Sequence, residues 1–218
     1  LGRLSDMKYL VLIGDGMGDY PREDLGGRTV LEAASTPNMD AIASMGRGGF
    51  VRTIPDSMEP GSDVANMEIL GYDTTRTFTG RSVFEALSMG RYLGARDVAF
   101  RANLVTLTDG VMEDYSAGHI TTEEAREIIR ELDEKLGTDT IRFYPGVSYR
   151  HLMVWTGGTD AMTTTPPHDI TGQPFSPHLP SGEGADELLR VIEASRGVLA
   201  DTMVNKKRVA SGKRPANS

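Results

Sequence analysis

The stretch "KYLVLIGDGMGD", residues 8–19, decides the fold class that the sequence predicts. Its first six residues form a short apolar run, the pattern of a strand that is buried on both faces of a sheet. The glycine-rich loop after the run ends the strand and places Asp15 just past its carboxyl end. Ligands gather at that edge of an open α/β sheet, because the loops after neighbouring strands converge there. Asp15 is therefore the first candidate functional residue.

The next fifty residues continue the alternation of strands and helices. "STPNMDAIASMG" predicts a helix over 36–46, with a cap, a proline in the first turn and a glycine as its stop. "GGFVRTI", residues 48–54, predicts a second strand, and 62–70 predicts a second helix that ends before a glycine. This β-α-β-α order favours a parallel, doubly wound sheet with Asp15 and Ser62 in loops at the same edge.

Beyond Tyr72 the pattern changes to an α+β module. Asp109-Gly110 predicts a hairpin between two strands, and "TTEEAREIIRELDEKLG" predicts an amphipathic helix that starts with a capping box at Thr121 and Glu124. The remaining predicted elements are a helix from the capping box "SVFE" (82–85) to Gly90, the strands "TIRFY" and "YRHLMVW", and a long helix over 183–203.

Composition limits the class of protein. The 218 residues contain no Cys, which excludes disulfides and thiolate-metal sites and favours a reducing compartment. The formal net charge of -8 argues against a nucleic-acid binder, and "YLVLI" is too short to span a bilayer. We expect a soluble, cytoplasmic protein without nucleic-acid or membrane partners. "LGRLSD", before Met7, is expected to be an upstream extension outside the fold.

Ser62 has two interpretations. A serine before an apolar helix is a preferred N-cap, and most such serines have no other role. As a nucleophile Ser62 needs an activator, and the surrounding "PGSDV" is not the G-x-S-x-G motif that pairs with a His base. A metal ion could activate the hydroxyl, with Asp15 as a hard oxygen ligand, and the helix N-terminus favours a bound phosphate. Asp15 could equally be a turn residue between glycines.

Seven blocks of the chain resemble one enzyme family, and they occur in the family's order from about Lys8 to the last residue. The sequence is similar to the archaeal-type, cofactor-independent (2,3-bisphosphoglycerate-independent) phosphoglycerate mutases of the alkaline phosphatase superfamily. The blocks are "LIGDGMGD", "TPNMDAIASMGRGG", "PGSDVANMEILGYD", "TGRSVFEALSMG", "DVAFRANLVT", "DYSAGHI" and "VNKKRVASGKRPAN".

The resemblance implies a metal-dependent phosphoryl transfer between 3-phosphoglycerate and 2-phosphoglycerate. It makes Asp15 a metal ligand and Ser62 both a metal ligand and the residue that is phosphorylated. It implies two divalent ions, manganese first, with magnesium, cobalt or zinc as alternatives, and no 2,3-bisphosphoglycerate. A two-ion clamp suits in-line phosphoryl transfer. The expected fold class is α/β, a partial alkaline-phosphatase-like parallel sheet with an inserted α+β substrate domain.

The same resemblance divides the chain into a metal-binding part at 7–71, an inserted substrate-binding domain at 72–179 and a return segment at 180–218. Each candidate substrate residue also has a plain structural interpretation: a surface histidine for His119, a buried ion pair for Arg101, and a simple turn for the loop at 168–169. "NKKRVASGKR" is expected to be a solvated basic surface. The candidates for binding phosphoglycerate are His119, Arg101, Asn103, His168, Asp169 and Arg81.

The chain departs from the family in its metal ligands. Family members carry further ligands in a D-x-x-x-H motif, a D-H pair and another His, whereas none of the four histidines here follows an Asp directly or by four positions. We expect the N-terminal portion of a longer enzyme, inactive alone and prone to self-association through uncovered apolar surface. The alternatives are another phosphatase or phosphomutase of the superfamily, and a non-catalytic binding module.

Overall fold

The structure is a computed structural model that describes residues 8–218. The upstream extension predicted for residues 1–6 lies outside the described residues. The chain divides into two compact units, Leu1–Phe78 (unit 1) and Thr79–Ser218 (unit 2). The finer division predicted at 71/72 and 179/180 stays a prediction.

Unit 1 is built from short helices and connecting segments. Both predicted helices are present, and Pro37 occupies the first turn of the first one, where its missing N–H costs no hydrogen bond. The helices described in unit 1 are α1 (Val30–Ala33), α2 (Pro37–Met45), α3 (Ser62–Ile69) and α4 (Thr74–Thr77), with a 3-10 turn at Glu23–Leu25.

The two strands predicted at 8–13 and 48–54 are not formed, and the predicted parallel sheet is not present within residues 8–78. The side chains of Tyr9, Leu10 and Phe50 are exposed, by 87%, 89% and 109%. A parallel strand gains its ladder of hydrogen bonds and its burial only from neighbouring strands and covering helices. No partner strand is available in the described part of unit 1, so the apolar runs form no strand and most of their side chains stay exposed.

Unit 2 contains antiparallel sheets and four helices. Its main sheet has the strand order β1-β5-β4, and a separate hairpin pairs β2 with β3. The hairpin turns at Asp109 and Gly110, both with positive φ, as predicted. The strands are β1 (Asp97–Asn103), β2 (Thr106–Thr108), β3 (Val111–Asp114), β4 (Ile141–Val147), β5 (Arg150–Thr156), β6 (Met162–Thr163) and β7 (Ser181–Gly182). The helices are α5 (Arg81–Ser88), α6 (Thr122–Leu136), α7 (Ala185–Asp201) and α8 (Met203–Ala210), with 3-10 turns at Pro167–Ile170 and Ser176–His178.

The core of unit 2 lies on both faces of the β1-β5-β4 sheet. On one face, α6, α7 and α8 bury a cluster that includes Ile128, Leu132 and Met153. On the other face, α5 packs Ala86 against Leu152. A smaller cluster fills the space beneath the β2-β3 hairpin. Because β5 is central and alternates its side chains between two apolar layers, it is the best buried strand of the unit.

One predicted helix detail is corrected. The predicted capping box at 82–85 is wrong, because α5 starts at Arg81 after Gly80, without a side-chain cap. The long helix predicted over 183–203 is confirmed as α7, which ends at Asp201. Thr202 follows with an extended backbone, and its hydroxyl caps α8 by accepting from the Asn205 N–H. The capping box of α6 is confirmed. Within residues 8–218 no helix is both long and apolar enough to cross a bilayer.

Candidate functional site

Asp15 and Ser62 meet in unit 1 although 47 positions separate them in sequence. The Ser62 hydroxyl donates a hydrogen bond to Asp15 Oδ2 over 3.1 Å. Both side chains are exposed, so the pair is open to a ligand from solvent. The proximity that the sequence predicted is therefore observed, without the sheet edge that was expected to produce it.

Ser62 is not the N-cap of its helix. Gly61 occupies the cap position with an extended backbone, and Ser62 is the first residue of α3. Val64, which is only 2% exposed, anchors the first turn. The hydroxyl of Ser62 is thus directed to Asp15, beside backbone N–H groups that have no partner within the helix. Such N–H groups favour an anion at this end.

The pair offers two of the hard oxygen ligands that a divalent ion takes, a carboxylate and a hydroxyl. Residues 8–218 contain no group of three or more Asp, Glu or His side chains that could hold a metal. A carboxylate and a hydroxyl in hydrogen-bond contact fit as two ligands of a metal site.

In unit 2, Arg101 and Asn103 lie on β1 at the predicted spacing of two. Arg101 Nε lies 3.0 Å from Glu85 Oε1, with about a quarter of each side chain exposed. Glu85 Oε2 and Asn103 Oδ1 are buried and have no hydrogen-bond partner among the described residues. The structure thus shows the ion pair that the sequence offered as the alternative role of Arg101. Two acceptor oxygens beside it remain unused.

His168 and Asp169 form a second polar group, in the 3-10 turn Pro167–Ile170. His168 Nε2 lies 3.3 Å from Asp169 Oδ1, and both side chains are exposed. The His168 ring makes an edge contact with Tyr115 at 6.2 Å between centroids, and Tyr115 contacts Tyr149 at 5.4 Å. His119 is exposed in the turn that begins next to Tyr115.

Sequence reasoning missed Glu85, Tyr115 and Tyr149, the aromatic and acidic neighbours of these candidates. No local pattern signals such contacts, because each joins residues that are distant in sequence. Arg81 is exposed at the start of α5.

The basic segment "NKKRVASGKR" is not simply a solvated surface. Arg208 is 2% exposed, and Arg214 is ion-paired with Glu113 and Asp114. A run of charges in sequence does not reveal which of its members points inward, because that depends on the elements packed against the helix. The expectation of a wholly solvated patch is therefore wrong.

Comparisons with known proteins identify the family. The family model of 2,3-bisphosphoglycerate-independent phosphoglycerate mutase matches residues 43–205. The chain is 56% identical over 213 residues to the Methanosarcina mazei protein of that name and 55% identical over 216 residues to the Geobacter sulfurreducens "probable 2,3-bisphosphoglycerate-independent phosphoglycerate mutase". Each match covers 97% of this chain but 54% of the relative, so the chain spans about half the length of these curated relatives.

A solved structure agrees with these sequence matches. The cofactor-independent phosphoglycerate mutase of Thermoplasma acidophilum superposes with a TM-score of 0.59 at 34% identity. The match covers 93% of this chain and 55% of that one. The family model, the curated relatives and the solved structure each match most of this chain. The chain therefore belongs to the 2,3-bisphosphoglycerate-independent phosphoglycerate mutase family.

Proposed function

We propose that this chain supplies the nucleophile of a metal-dependent phosphoglycerate mutase that interconverts 3-phosphoglycerate and 2-phosphoglycerate. The observation that carries the proposal is the 3.1 Å hydrogen bond between Ser62 Oγ and Asp15 Oδ2 in a chain of this family. A hydroxyl, a carboxylate and a helix N-terminus converge there, which suits a phosphoryl group that is received and then released.

The proposed reaction has two transfers at Ser62. In the first, an Oγ–P bond forms while the bond between phosphorus and the C3 oxygen breaks; Ser62 loses its proton and the departing oxygen gains one. In the second, the 2-hydroxyl of the reoriented glycerate loses its proton and attacks phosphorus, while the bond to Oγ breaks and Ser62 regains a proton. Asp15 holds the hydroxyl in place through their hydrogen bond. Divalent ions, manganese first, would supply Lewis-acid stabilisation of the charge, with Asp15 and Ser62 as ligands from this chain.

Unit 2 is proposed to carry the substrate contacts. His119, His168, Asp169, Arg101, Asn103 and Arg81 are the proposed residues. The exposed imidazole of His119 and the exposed pair His168–Asp169 support a binding role, because their polar atoms are accessible. Arg101 is the weakest of the six, since Glu85 already neutralises its charge.

The complete fold is proposed to be an alkaline-phosphatase-like parallel sheet with unit 2 as its inserted domain. The exposed apolar runs at 8–13 and 48–54 would then be strands that pair with strands from the part present only in the longer relatives. This chain alone would be inactive and would self-associate. The whole enzyme is proposed to be cytoplasmic and to work in glycolysis and gluconeogenesis.

A chimera tests the proposal. Residues 1–218 are joined to the part of the Geobacter sulfurreducens relative that lies beyond its match, and conversion of 3-phosphoglycerate is followed with manganese present. We expect turnover in the chimera, none above background in Ser62→Ala, and full turnover in the control Ser57→Ala, an exposed serine upstream. Turnover that survives Ser62→Ala, or release of free phosphate as the main product, would overturn the proposal.

A further inference from the structure

The turn that carries His119 has an unusual backbone. Ala117, Gly118 and His119 all have left-handed φ values, of 49°, 65° and 51°. Each non-glycine residue in this region costs about 1 kcal/mol or more, so the turn persists only if its surroundings hold it. The turn ends with the exposed His119, and the next residue, Ile120, is buried in the core.

One side of the turn is held by Asp114, the last residue of β3. Its carboxylate accepts hydrogen bonds from the Ser116 N–H at 2.7 Å, the Ser116 hydroxyl at 2.6 Å and the Gly118 N–H at 3.0 Å. The Ser116 hydroxyl in turn accepts from the His119 N–H at 3.2 Å. Burial alone raises the pKa of Asp114, but these bonds and one from Arg214 lower it to about 2.

The other side is held by Arg208, from α8. Its Nη2 donates to the carbonyl oxygens of Ala117 at 2.5 Å and Gly118 at 3.3 Å. Its Nη1 donates to Glu124 Oε2 on α6 at 2.5 Å, and its Nε donates to the carbonyl of Arg214 at 2.9 Å. A buried guanidinium that donates from all three of its nitrogens fixes the positions of the groups around it.

Arg214 links the two sides. Its Nη1 donates to Asp114 Oδ2 at 3.0 Å, and its Nη2 lies 2.8 Å from Glu113 Oε1. The fit around Gly118 is close, because a Cβ added there would lie 3.0 Å from Arg214 Cβ and 3.1 Å from Arg208 Nη2. The turn is therefore enclosed by a carboxylate on one side and two arginines on the other.

We propose that Arg208 and Arg214 are positioning residues for His119, so that α8 and the segment after it set the geometry of the substrate-binding turn. The inference rests on the proposed function of His119 as a substrate contact. Neither arginine is expected to touch substrate. A lysine in place of Arg208 would keep a charge for Glu124, but one ammonium group lacks the flat fork that reaches both carbonyls and Glu124 together.

Amide hydrogen exchange in the 218-residue chain, followed by NMR, tests this inference. In Arg208→Lys the Gly118 and His119 amides should exchange at least about tenfold faster relative to Leu152 in β5, since a hydrogen bond to a charged group contributes about 1.5–3 kcal/mol. The imidazole resonances of His119 should shift. The matched control Arg190→Lys, an exposed pair with Glu187 on α7, should change neither.

Arg214→Lys provides a second variant if Arg208→Lys does not fold, because half of the Arg214 side chain is exposed. Turn amides that keep their exchange rates, or that accelerate only in proportion to Leu152, would overturn the inference and leave the arginines a general stabilising role.

The proposed role of His119 is tested separately by the KM of the chimera. His119→Asn with unchanged KM would remove that role, while the exchange data would still decide whether the arginines hold the turn.

Discussion

At the scale of single residues, the proposed role of Asp15 as a metal ligand depends on its charge. Asn at this position can still accept a hydrogen bond from Ser62 but cannot balance the charge of a divalent ion. A hydrogen bond to a charged group contributes about 1.5–3 kcal/mol, and we take the loss of a charged metal ligand to cost at least as much. We therefore expect Asp15→Asn in the chimera to raise the manganese concentration needed for half-maximal turnover at least about tenfold. Asp19→Asn, in the same loop, is the control, and equal manganese requirements in both variants would contradict the metal role.

His151 predicts a pH dependence of stability. Its side chain is fully buried, its Nδ1 accepts the Gly146 N–H at 3.0 Å, and its Nε2 has no partner among the described residues. Burial lowers the pKa of His151 to about 4, against 6.5 when unfolded, and outweighs the smaller raising effect of the Ser148 backbone. Between those values the unfolded state binds the proton and the folded state does not. The free energy of unfolding should therefore fall by roughly 3 kcal/mol as pH drops from about 6.5 to 4.

Denaturant titrations at several pH values measure this effect. The non-titrating variant His151→Gln should have a smaller slope than the wild type between about pH 6.5 and 4, the range bounded by the unfolded and folded pKa values of His151. The slope that remains at the acid end comes from carboxylates such as Asp114, whose pKa is lowered in the folded state. His178→Gln, at the end of the 3-10 turn Ser176–His178, should keep the wild-type slope. Identical slopes in the wild type and His151→Gln would show that another group causes the pH dependence.

At the scale of elements, the capping box of α6 contributes to the stability of unit 2. Thr121 Oγ1 accepts the Glu124 N–H at 3.2 Å, while Glu124 Oε2 accepts the Thr121 N–H at 3.1 Å. Thr121→Ala should lower the free energy of unfolding by about 1 kcal/mol, whereas Thr121→Ser, which keeps the hydroxyl, should lose only a few tenths. Equal losses in chemical denaturation would mean that the methyl group, rather than the cap, is responsible.

Elements defined by local patterns were predictable from the sequence. The α6 periodicity and cap, the Asp109-Gly110 turn and the apolar runs of β4 and β5 each carry their signal within a few residues. The runs at 8–13 and 48–54 carry the same kind of signal, yet they form no strand, because a strand needs hydrogen-bond partners from elsewhere. The capping box at 82–85 failed because the helix begins one residue earlier, after Gly80, so Ser82 lies inside it.

The candidate site shows the same division between local and distant signals. The glycine-rich loop and the helix start at Ser62 predicted a shared location for Asp15 and Ser62, and their hydrogen bond is observed. The functional roles of both residues stay predictions. The contacts of His168 with Tyr115 and the burial of Arg208 depend on tertiary packing, so no spacing in the sequence could reveal them.

At the scale of the whole molecule, unit 1 exposes large apolar side chains that favour association. The 218-residue chain should sediment as concentration-dependent oligomers, because Leu10 and Phe50 lie uncovered. The double variant Leu10→Lys/Phe50→Lys should reduce the oligomers, and Val209→Lys, an exposed apolar residue of unit 2, should not. A single monomeric boundary at every concentration would contradict the proposal that these runs need a covering partner.

The phosphoserine itself gives the most direct test of the proposed function. The chimera is incubated with 3-phosphoglycerate labelled in its phosphoryl group and with manganese, quenched in acid, and digested for peptide mapping. We predict label in the peptide that contains Gly61-Ser62-Asp63, and none in the same peptide from Ser62→Ala. Label confined to a different peptide, in a preparation that interconverts the two phosphoglycerates, would contradict the role of Ser62 as the residue that carries the phosphoryl group.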